Sequence, residues 1–349
     1  MEEGLKDIVD FSANINPAGV PQGVKEAITA CLDSCVNYPD PLCRNLRQAI
    51  GKYEKLDPQH IICGNGAADI IFRLVQALKP KKALIPAPTF AEYEQALESS
   101  GNCKVDHFFL KEEEGFGLGE DYLQALQQAY DVAFLCNPNN PTGRVMDRDF
   151  LERALEICEN QGTLLVLDEC FMDFVEGYES ITMKGKIEQN HHLFILKAFT
   201  KSYAMPGIRL GYGLCADSTL MEDIRRAGQP WSVSIPAQEA GIQALKEEEY
   251  LRSSMKVIQE EKKFLTRELE GLGIYFYPPG ANYILLNIEK SRNYSVNTFK
   301  RQLHERGILI RDCGNYRGLK EGFYRIAVKD HQSNIRLVKA LKDLSLRNK

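Results

Sequence analysis

The chain has 349 residues, of which 43 are lysine or arginine and 48 are aspartate or glutamate, so its formal net charge is −5. This length suits two domains, because one domain usually has about 100–200 residues. Hydrophobic residues make up 44% of the chain and charged residues 26%, which predicts a sizeable core and excludes a disordered protein. The mild acidity excludes the strongly basic class of nucleic-acid-binding proteins, so we expect no nucleic-acid partner.

The longest apolar runs, such as residues 163–167 and 193–196, are far shorter than the ~20 residues that cross a bilayer. The first residues, Met-Glu-Glu-Gly, lack the basic and apolar regions of a signal peptide. The ten cysteines are scattered and include no Cys-x-x-Cys pair, which favours reduced thiols over a metal site. We therefore expect a cytoplasmic protein with no membrane partner and no bound metal.

In chain order, residues 1–24 are rich in Asn, Pro and Gly, which predicts an irregular arm. Helices are predicted over 24–35 and 42–56. Continuous apolar runs of strand length follow at 60–63, 83–86, 132–136, 163–167, 193–199 and 211–215. Such runs are typical of strands covered on both faces of a parallel sheet. Amphipathic stretches at 67–78, 91–100 and 147–160 lie between them, and this alternation predicts an open α/β sheet.

The pattern changes after about residue 234. Residues 236–271 indicate long, charged helical sequence with a break near Glu249. Strands are then predicted at 274–277, 283–287 and 323–328, and helices at 296–306 and 332–346. We predict three parts: an N-terminal arm (1–40) that contributes to the small domain and to a dimer, a large cofactor-binding domain (41–238), and a small C-terminal α+β domain (239–349).

Polar side chains follow three of the predicted strands: Asn140 in an Asn-Pro-rich segment, Asp168, and Lys201. In open α/β sheets ligands bind beyond the carboxyl ends of the strands, so these groups should converge on one crevice. Each alone has an ordinary explanation, as a turn, a helix cap or a solvated lysine. Together with the turn before the helix at 67–78, whose free N–H groups favour phosphate, they suit pyridoxal 5′-phosphate.

The motifs Asn140-Pro141-Thr142-Gly143, Asp168-Glu169 and Thr200-Lys201, with Arg209 eight residues after the lysine, resemble those of the fold-type-I pyridoxal-phosphate enzymes of the class I/II aminotransferase family. The resemblance covers essentially the whole chain. It implies a large, mainly parallel sheet domain with a smaller α+β domain, and pyridoxal 5′-phosphate as cofactor.

The resemblance also implies roles for individual residues. Lys201 corresponds to the lysine that forms a Schiff base with the cofactor aldehyde, Asp168 to the partner of the pyridinium nitrogen, and Asn140 to the ligand of the phenolic oxygen. Phe90 corresponds to the aromatic residue that stacks on the ring. The residues that correspond to the phosphate-binding set are Gly66, Ala67, Ala68, Thr200 and Arg209.

Two further correspondences concern the partner subunit and the substrate. Tyr38 resembles the tyrosine that reaches the cofactor phosphate of the other subunit, which implies a homodimer with shared active sites. Arg325 corresponds to the arginine that binds the substrate α-carboxylate, for which bidentate geometry suits arginine. One position departs from the family pattern, because Ala198 stands where many relatives have a phosphate-binding serine.

Within the family, the chain resembles the threonine-phosphate decarboxylases and the histidinol-phosphate aminotransferases. Three features favour the decarboxylases. They are the arm sequence 11–17 with Asn14, the phenylalanine at position 171, and the segment 310–316 with Arg311. Asn14 and Arg311 are then candidate ligands of a phosphorylated amino acid. The implied reaction is the decarboxylation of L-threonine O-3-phosphate to (R)-1-aminopropan-2-yl phosphate and CO2, for cobalamin biosynthesis. Transamination of histidinol phosphate or a related amino acid is the alternative, and a non-catalytic DNA-binding regulator is a third.

Overall fold

The structure is a computed structural model that describes residues 8–347. The first seven residues of the predicted arm and the last two of the predicted small domain lie outside the described residues. The strands are β1 (Val9–Asp10), β2 (Ile61–Gly64), β3 (Lys82–Ala87), β4 (Lys104–Phe109), β5 (Val132–Cys136), β6 (Leu164–Asp168), β7 (Leu193–Ala198), β8 (Gly211–Leu214), β9 (Tyr275–Phe276), β10 (Tyr283–Asn287), β11 (Ile308–Leu309), β12 (Arg311–Asp312) and β13 (Phe323–Ala327).

The α-helices alternate with the strands in the first two thirds of the chain and dominate the remainder. They are α1 (Gln22–Ala30), α2 (Arg44–Glu54), α3 (Ala67–Leu78), α4 (Glu92–Ser99), α5 (Glu120–Leu126), α6 (Arg148–Gln161), α7 (Phe199–Ser202), α8 (Ser218–Ala227), α9 (Ile235–Ala244), α10 (Glu248–Gly271), α11 (Val296–His304) and α12 (His331–Arg347).

The large sheet has seven strands in the order β2-β8-β7-β6-β5-β3-β4. All neighbouring pairs from β7 to β4 are parallel. Every residue of β5 and β6 is buried, because helices cover both faces: one core cluster packs α2, α6 and α9 on one face, and a second packs α3, α4 and α8 on the other. The predicted α/β class with a mainly parallel sheet is therefore confirmed.

Two strands of the large sheet depart from the sequence analysis. The run at 211–215 fits the parallel pattern, but β8 is antiparallel to both β2 and β7. The connection from Ala198 to Gly211 contains a single short helix, and parallel strands need a longer crossover, so the chain simply reverses. The strand β4 was not predicted, because its sequence Lys-Val-Asp-His-Phe-Phe is not a continuous apolar run. It lies at the sheet edge and is only half-buried.

The small domain has an antiparallel sheet in the order β12-β13-β10-β9, against which α10, α11 and α12 pack. The arm joins this domain, since β1 pairs in parallel with β11 and Phe11 is fully buried in the small-domain core. The predicted helical break near Glu249 falls slightly earlier, between the end of α9 at Ala244 and the start of α10 at Glu248.

Two features are absent from residues 8–347. None of the helices in this part of the chain combines the length and apolarity needed to span a membrane. Within the same residues, no three His, Cys, Asp or Glu side chains are grouped so that they could hold a metal ion.

Candidate active site

A cavity of about 400 Å³ lies beyond the carboxyl ends of β5, β6 and β7, between the large domain, the small domain and the arm. It brings together most of the residues that the sequence analysis selected. The predicted residues that line it are Asn14, Ala67, Ala68, Phe90, Asn140, Asp168, Thr200, Lys201, Arg209, Arg311 and Arg325. Gly66 lies next to the lining at the start of α3. Tyr38 does not line the cavity.

Lys201 lies in the short helix α7, which begins directly after β7. The arm contacts this helix, because the backbone N–H of Asn16 donates a hydrogen bond to the Lys201 carbonyl at 3.2 Å. Burial of the side chain, together with the positive charges of Arg325 and Arg209, lowers the pKa of Lys201 to about 8. A much larger fraction of the amine is therefore neutral near pH 7–8 than in an exposed lysine, and the neutral amine is the nucleophilic form.

Asp168 is the last residue of β6 and is 5% exposed. Its Oδ1 accepts a hydrogen bond from the Cys170 amide at 2.9 Å, and its Oδ2 accepts one from the Tyr93 hydroxyl at 2.5 Å. Burial raises the pKa of Asp168, while these hydrogen bonds and the charge of Lys201 oppose the rise. A cationic N–H group in the cavity would stabilise the ionised carboxylate, which is the requirement for a pyridinium partner.

The turn before α3 can receive a phosphate. Gly66 has φ +84° and begins the helix, so the free N–H groups of Ala67 and Ala68 form an anion site at a helix N-terminus. Two close approaches require glycine. A Cβ on Gly66 would lie 2.4 Å from the Arg209 guanidinium, and a Cβ on Gly211 would lie 2.5 Å from the Ala67 amide nitrogen. Arg209 is thereby held against the turn, where it adds a positive charge.

Asn140 and Arg325 orient each other across the two domains. The Nη1 of Arg325 donates to the Asn140 Oδ1, and its Nη2 donates to the Ser12 carbonyl at 2.9 Å. Because the amide oxygen of Asn140 is occupied, its NH2 group remains as the donor for a phenolic oxygen. The Arg325 Nε is buried and has no hydrogen-bond partner among residues 8–347, so this N–H is left without an acceptor.

Arg311 and Arg325 are directly opposite each other on the antiparallel strands β12 and β13. Like charges at opposite positions of a strand pair are destabilising, and both side chains line the same cavity. An anionic ligand would relieve this repulsion. The Arg311 guanidinium also lies over the Tyr316 ring, 5.3 Å from its centre, and this contact keeps the arginine beside the cavity.

Two aromatic residues, Phe90 and Phe171, line the cavity. Phe90 lines the cavity and packs edge-on against Tyr93, with 5.5 Å between the ring centres. Phe171 also lines the cavity, and the Lys201 Nζ lies 5.6 Å from its ring centre. Phe171 has no hydroxyl, so it cannot provide the second hydrogen bond to a phenolic oxygen that a tyrosine would give.

Several residues of this site were not selected from the sequence, and Tyr93 and Glu92 are two of them. Tyr93, which hydrogen-bonds to Asp168, lies three positions after Phe90, and that helical spacing could have indicated a shared face. Glu92 lines the cavity; burial raises its pKa, and the charge of Arg311 opposes the rise. No pattern in the sequence distinguishes Glu92 from a solvated glutamate in the first turn of a helix.

Tyr38 is 79% exposed and packs against Trp231, with 4.7 Å between the ring centres. It lies outside the cavity of its own chain. This position leaves its side chain available to a neighbouring subunit, and its predicted role in a partner's active site stays a prediction.

A model of the family "Aminotransferase class I and II" matches residues 6–341. The chain belongs to this family. It is 38% identical over 338 residues to the threonine-phosphate decarboxylase of Salmonella typhimurium, an alignment that covers 97% of this chain and 91% of that protein. The match confirms the family that the sequence motifs resemble.

Solved structures of both related enzyme types superpose on the chain. The histidinol-phosphate aminotransferase from Clostridium acetobutylicum has a TM-score of 0.90 at 31% identity and covers 97% of this chain and 100% of its own. The L-threonine-O-3-phosphate decarboxylase from Porphyromonas gingivalis has a TM-score of 0.84 at 28% identity and covers 96% and 99%. The fold is therefore the fold-type-I pyridoxal-phosphate transferase fold.

The family cofactor is pyridoxal 5′-phosphate, and the cavity fits it. A buried lysine with a lowered pKa can bind its aldehyde, and a buried carboxylate can face its ring nitrogen. The glycine turn with Arg209 can hold its phosphate. The free NH2 of Asn140 and the ring of Phe90 remain for its phenolic oxygen and its face.

Proposed function

We propose that this chain catalyses the pyridoxal-phosphate-dependent decarboxylation of L-threonine O-3-phosphate to (R)-1-aminopropan-2-yl phosphate and CO2. The observation that carries the proposal is the pair of facing arginines, Arg311 and Arg325, in one cavity with Lys201. A substrate with both a carboxylate and a phosphate supplies the negative charge that this pair requires. The identity of 38% to a threonine-phosphate decarboxylase supports the choice of substrate.

Arg325 binds the substrate carboxylate, using the Nε that has no hydrogen-bond partner among residues 8–347. Arg311 binds the remaining anionic group from the neighbouring strand. Asn14 closes the cavity from the arm; it is 1% exposed, and its Oδ1 has no hydrogen-bond partner. A buried amide oxygen without a donor is costly, so a bound substrate that donates to Asn14 is favoured.

The cofactor, when bound, supplies an electron-accepting ring that takes up the electron pair of a bond broken at the substrate α-carbon. Lys201 would hold the cofactor aldehyde through its Nζ. Asp168, held by Tyr93 and the Cys170 amide, keeps the proton on the ring nitrogen. Asn140 donates to the phenolic oxygen.

The choice of the broken bond depends on orientation, because only a bond perpendicular to the ring plane delivers its electrons to the ring. Arg325 and the arm, which line the cavity, would hold the substrate carboxylate in that direction and so favour the loss of CO2. The amine of Lys201 lines the cavity and would return a proton to the α-carbon.

We assign the chain to a cytoplasmic homodimer that acts in cobalamin biosynthesis. The exposed position of Tyr38 supports the dimer, because its hydroxyl then binds the cofactor phosphate of the partner subunit. In the same proposal residues 1–40 form the arm, 41–238 the large domain and 239–349 the small domain. A 30% identical relative carries the name "Adenosylcobalamin biosynthesis bifunctional protein", which supports the pathway.

The second candidate is an aminotransferase of histidinol phosphate or a related amino acid. The TM-score of 0.90 to a histidinol-phosphate aminotransferase supports it, and the same lysine could remove the α-proton if that bond were perpendicular to the ring. Phe171 argues against this candidate only weakly, because one missing hydrogen bond does not select a reaction.

A product assay tests the proposal. Purified protein with pyridoxal 5′-phosphate is incubated with L-threonine O-3-phosphate without a keto acid, and CO2 and aminopropanol phosphate are measured. We expect rapid release of both, and none from the Lys201→Ala variant. If histidinol phosphate is instead consumed, and only when a keto acid is present, the chain is an aminotransferase. Serine phosphate serves as a specificity control. It lacks one methyl group, and such a difference changes transition-state binding by only about 1 kcal/mol.

A further inference from the structure

Asn16, in the N-terminal arm, is 2% exposed and is bonded to two helices outside the arm. Its backbone N–H donates to the Lys201 carbonyl in α7 at 3.2 Å. Its Nδ2 donates to the Ser202 carbonyl at 2.8 Å and to the Ser254 Oγ in α10 at 2.9 Å. Its Oδ1 accepts a hydrogen bond from the Ala18 N–H at 3.0 Å, which orients the amide. One arm residue therefore binds two successive carbonyls of the helix that carries the candidate cofactor lysine.

These hydrogen bonds matter because α7 is a single turn of four residues, Phe199–Ser202. The last four carbonyls of an α-helix have no partner within the helix, so a helix this short depends on contacts from outside it. The Lys201 carbonyl also accepts a longer bond from the Ala204 N–H at 3.4 Å. The position of the Lys201 backbone therefore depends on the segments packed against α7.

A second hydrogen bond anchors the same turn on the side of the large sheet. The Ser202 Oγ donates to the Asp173 Oδ2 at 2.5 Å. Asp173 lies in a short 3₁₀ helix, Met172–Phe174, which follows β6 and its last residue Asp168. The turn that carries the lysine is thus held between the arm and the segment that continues from Asp168.

The arm is also bonded to the candidate carboxylate-binding arginine. The Ser12 carbonyl accepts a hydrogen bond from the Arg325 Nη2 at 2.9 Å, and Asn16 follows Ser12 by four residues. Arg325 lies in β13 of the small sheet, whereas Lys201 lies just beyond β7 of the large sheet. One short segment, residues 12–16, is therefore bonded to the elements that carry both groups, and it constrains the distance between them.

We propose that Asn16 is a positioning residue, which sets where the Lys201 Nζ lies relative to Arg325 and to a cofactor held by its phosphate. Asn16 does not line the cavity, so it acts through the backbone of the lysine. The inference rests on the role of Lys201 in the proposed function, but it does not depend on which substrate bond breaks. Displacing a reacting group by about 1 Å can lower a rate by about 10²-fold, so loss of this anchor is measurable.

Covalent binding of pyridoxal 5′-phosphate to the full-length, cofactor-free protein tests the proposal, with stopped-flow absorbance as the readout. Asn16→Ala removes the side-chain bond to α7, and we expect the rate of covalent binding to fall by about 10- to 100-fold. The matched control is Ser254→Ala. Ser254 is 3% exposed and accepts from the same Nδ2, but its loss leaves the bond from Asn16 to Ser202 in place. This control should bind the cofactor at the rate of the unmodified protein.

Pyridoxine 5′-phosphate distinguishes a displaced lysine from a damaged cavity, because it has the ring and the phosphate but no aldehyde. Calorimetric titration should give the same Kd for Asn16→Ala, Ser254→Ala and the unmodified protein. If circular dichroism shows that Asn16→Ala is unfolded, Asn16→Asp replaces it. That variant keeps the acceptor for the Ala18 N–H and puts an oxygen in place of the donor to the Ser202 carbonyl, so the same slow covalent binding is expected.

Three results would overturn the proposal. They are covalent binding by the folded Asn16 variant at the unmodified rate, an equal slowing in Ser254→Ala, and a loss of pyridoxine 5′-phosphate affinity as large as the loss of rate. Each would leave Lys201 as the cofactor lysine. Covalent binding by Lys201→Ala would instead overturn that assignment, and with it both the proposed function and the role of Asn16.

Discussion

Two lysines four residues apart, Lys197 and Lys201, show how differently this fold uses buried charge. Lys197, at the end of β7, lies 3.2 Å from the Glu54 carboxylate, and although burial opposes the rise, Glu54 and Asp173 raise its pKa. Lys201, just beyond the same strand, forms no ion pair with a carboxylate of residues 8–347, and burial together with the charge of Arg325 lowers its pKa to about 8. One lysine is fixed in its charged form, and the other is kept close to neutrality.

Two buried acids, Glu54 near Lys197 and Asp168 near Lys201, differ in the same way. Glu54 has both oxygens occupied, by Lys184 at 2.9 Å and by the Tyr212 hydroxyl at 2.6 Å as well as by Lys197. Although burial opposes it, the charges of Lys197 and Lys184 lower the pKa of Glu54 to about 2. Asp168 has no such cation in contact, and burial raises its pKa. A buried charge that pairs with an opposite charge of the protein stabilises the fold. A buried charge without such a partner indicates where a ligand of opposite charge binds.

The largest expected effect is the loss of turnover when Lys201, the lysine without an anionic partner, is replaced. Lys201→Ala should lower turnover by at least about 10³-fold and remove the visible absorbance of the covalently bound cofactor, because no other amine replaces its Nζ. Folding should be unaffected, since a buried lysine without an anionic partner contributes little to stability. Activity assays and absorbance spectra check this. Turnover close to that of the unmodified protein would exclude Lys201 as the cofactor lysine.

Breaking the buried Glu54–Lys197 ion pair should lower the free energy of unfolding. Glu54→Gln leaves Lys197 buried without its counter-ion, and breaking a buried ion pair in this way costs about 3–5 kcal/mol. Urea unfolding measures the loss. The matched control is Glu152→Gln, since Glu152 forms an ion pair with Arg148 while 39% exposed, and such a surface pair is worth about 0–1 kcal/mol.

The pH dependence of this difference has a defined sign. Because the pKa of Glu54 is about 2 in the folded protein and 4.5 is its ordinary value, its contribution is fully present above pH 4.5 and is lost as the pH falls towards 2. The stability gap between the unmodified protein and Glu54→Gln should therefore narrow in acid. A gap that stays constant from pH 7 to pH 3 would show that the two lysines do not hold Glu54 in its ionised form.

The facing arginines should give opposite results for activity and for stability. Arg311→Gln should lower kcat/KM by about 10²-fold, because removing one partner of a buried, hydrogen-bonded charge pair costs roughly 2–5 kcal/mol. The ligand-free protein should be no less stable, since the change removes repulsion from Arg325. Steady-state kinetics and thermal unfolding measure the two effects, with Arg317→Gln as the control, because Arg317 pairs with Glu94 at the surface. A loss of stability without a loss of kcat/KM would assign Arg311 a structural role.

The parts of this fold that a sequence can predict are those that local pattern determines. The bounds of β5 and α3 were predicted to the residue, because a continuous apolar run and an amphipathic stretch after Gly66 each specify one element. The strand β4 was missed because it forms by pairing with β3, Leu84 opposite Asp106 for instance, rather than by burial of an apolar run. Only tertiary contacts could reveal it.

The same distinction applies to the active site. Asn140, Asp168 and Lys201 could be grouped in advance, because the carboxyl ends of neighbouring parallel strands meet at one edge of a sheet. The facing of Arg311 and Arg325 depends on an antiparallel register that the sequence does not display. The two buried lysines also look alike in sequence, and only their different partners separate them.

The smallest effect we predict is a change of rate with pH, and it tests most directly whether Lys201 has a lowered pKa. The rate at which the cofactor-free protein binds pyridoxal 5′-phosphate covalently should rise about tenfold from pH 7 to pH 9, with a midpoint near the pKa of about 8, because only the neutral amine of Lys201 attacks the aldehyde. Arg325→Gln should move this midpoint upwards, since removing a nearby positive charge favours the ammonium form. Arg317→Gln should leave it unchanged. Stopped-flow absorbance measures the rates, and a midpoint near the ordinary lysine value of 10.5 would show that burial and the arginines do not act on Lys201 as the structure indicates.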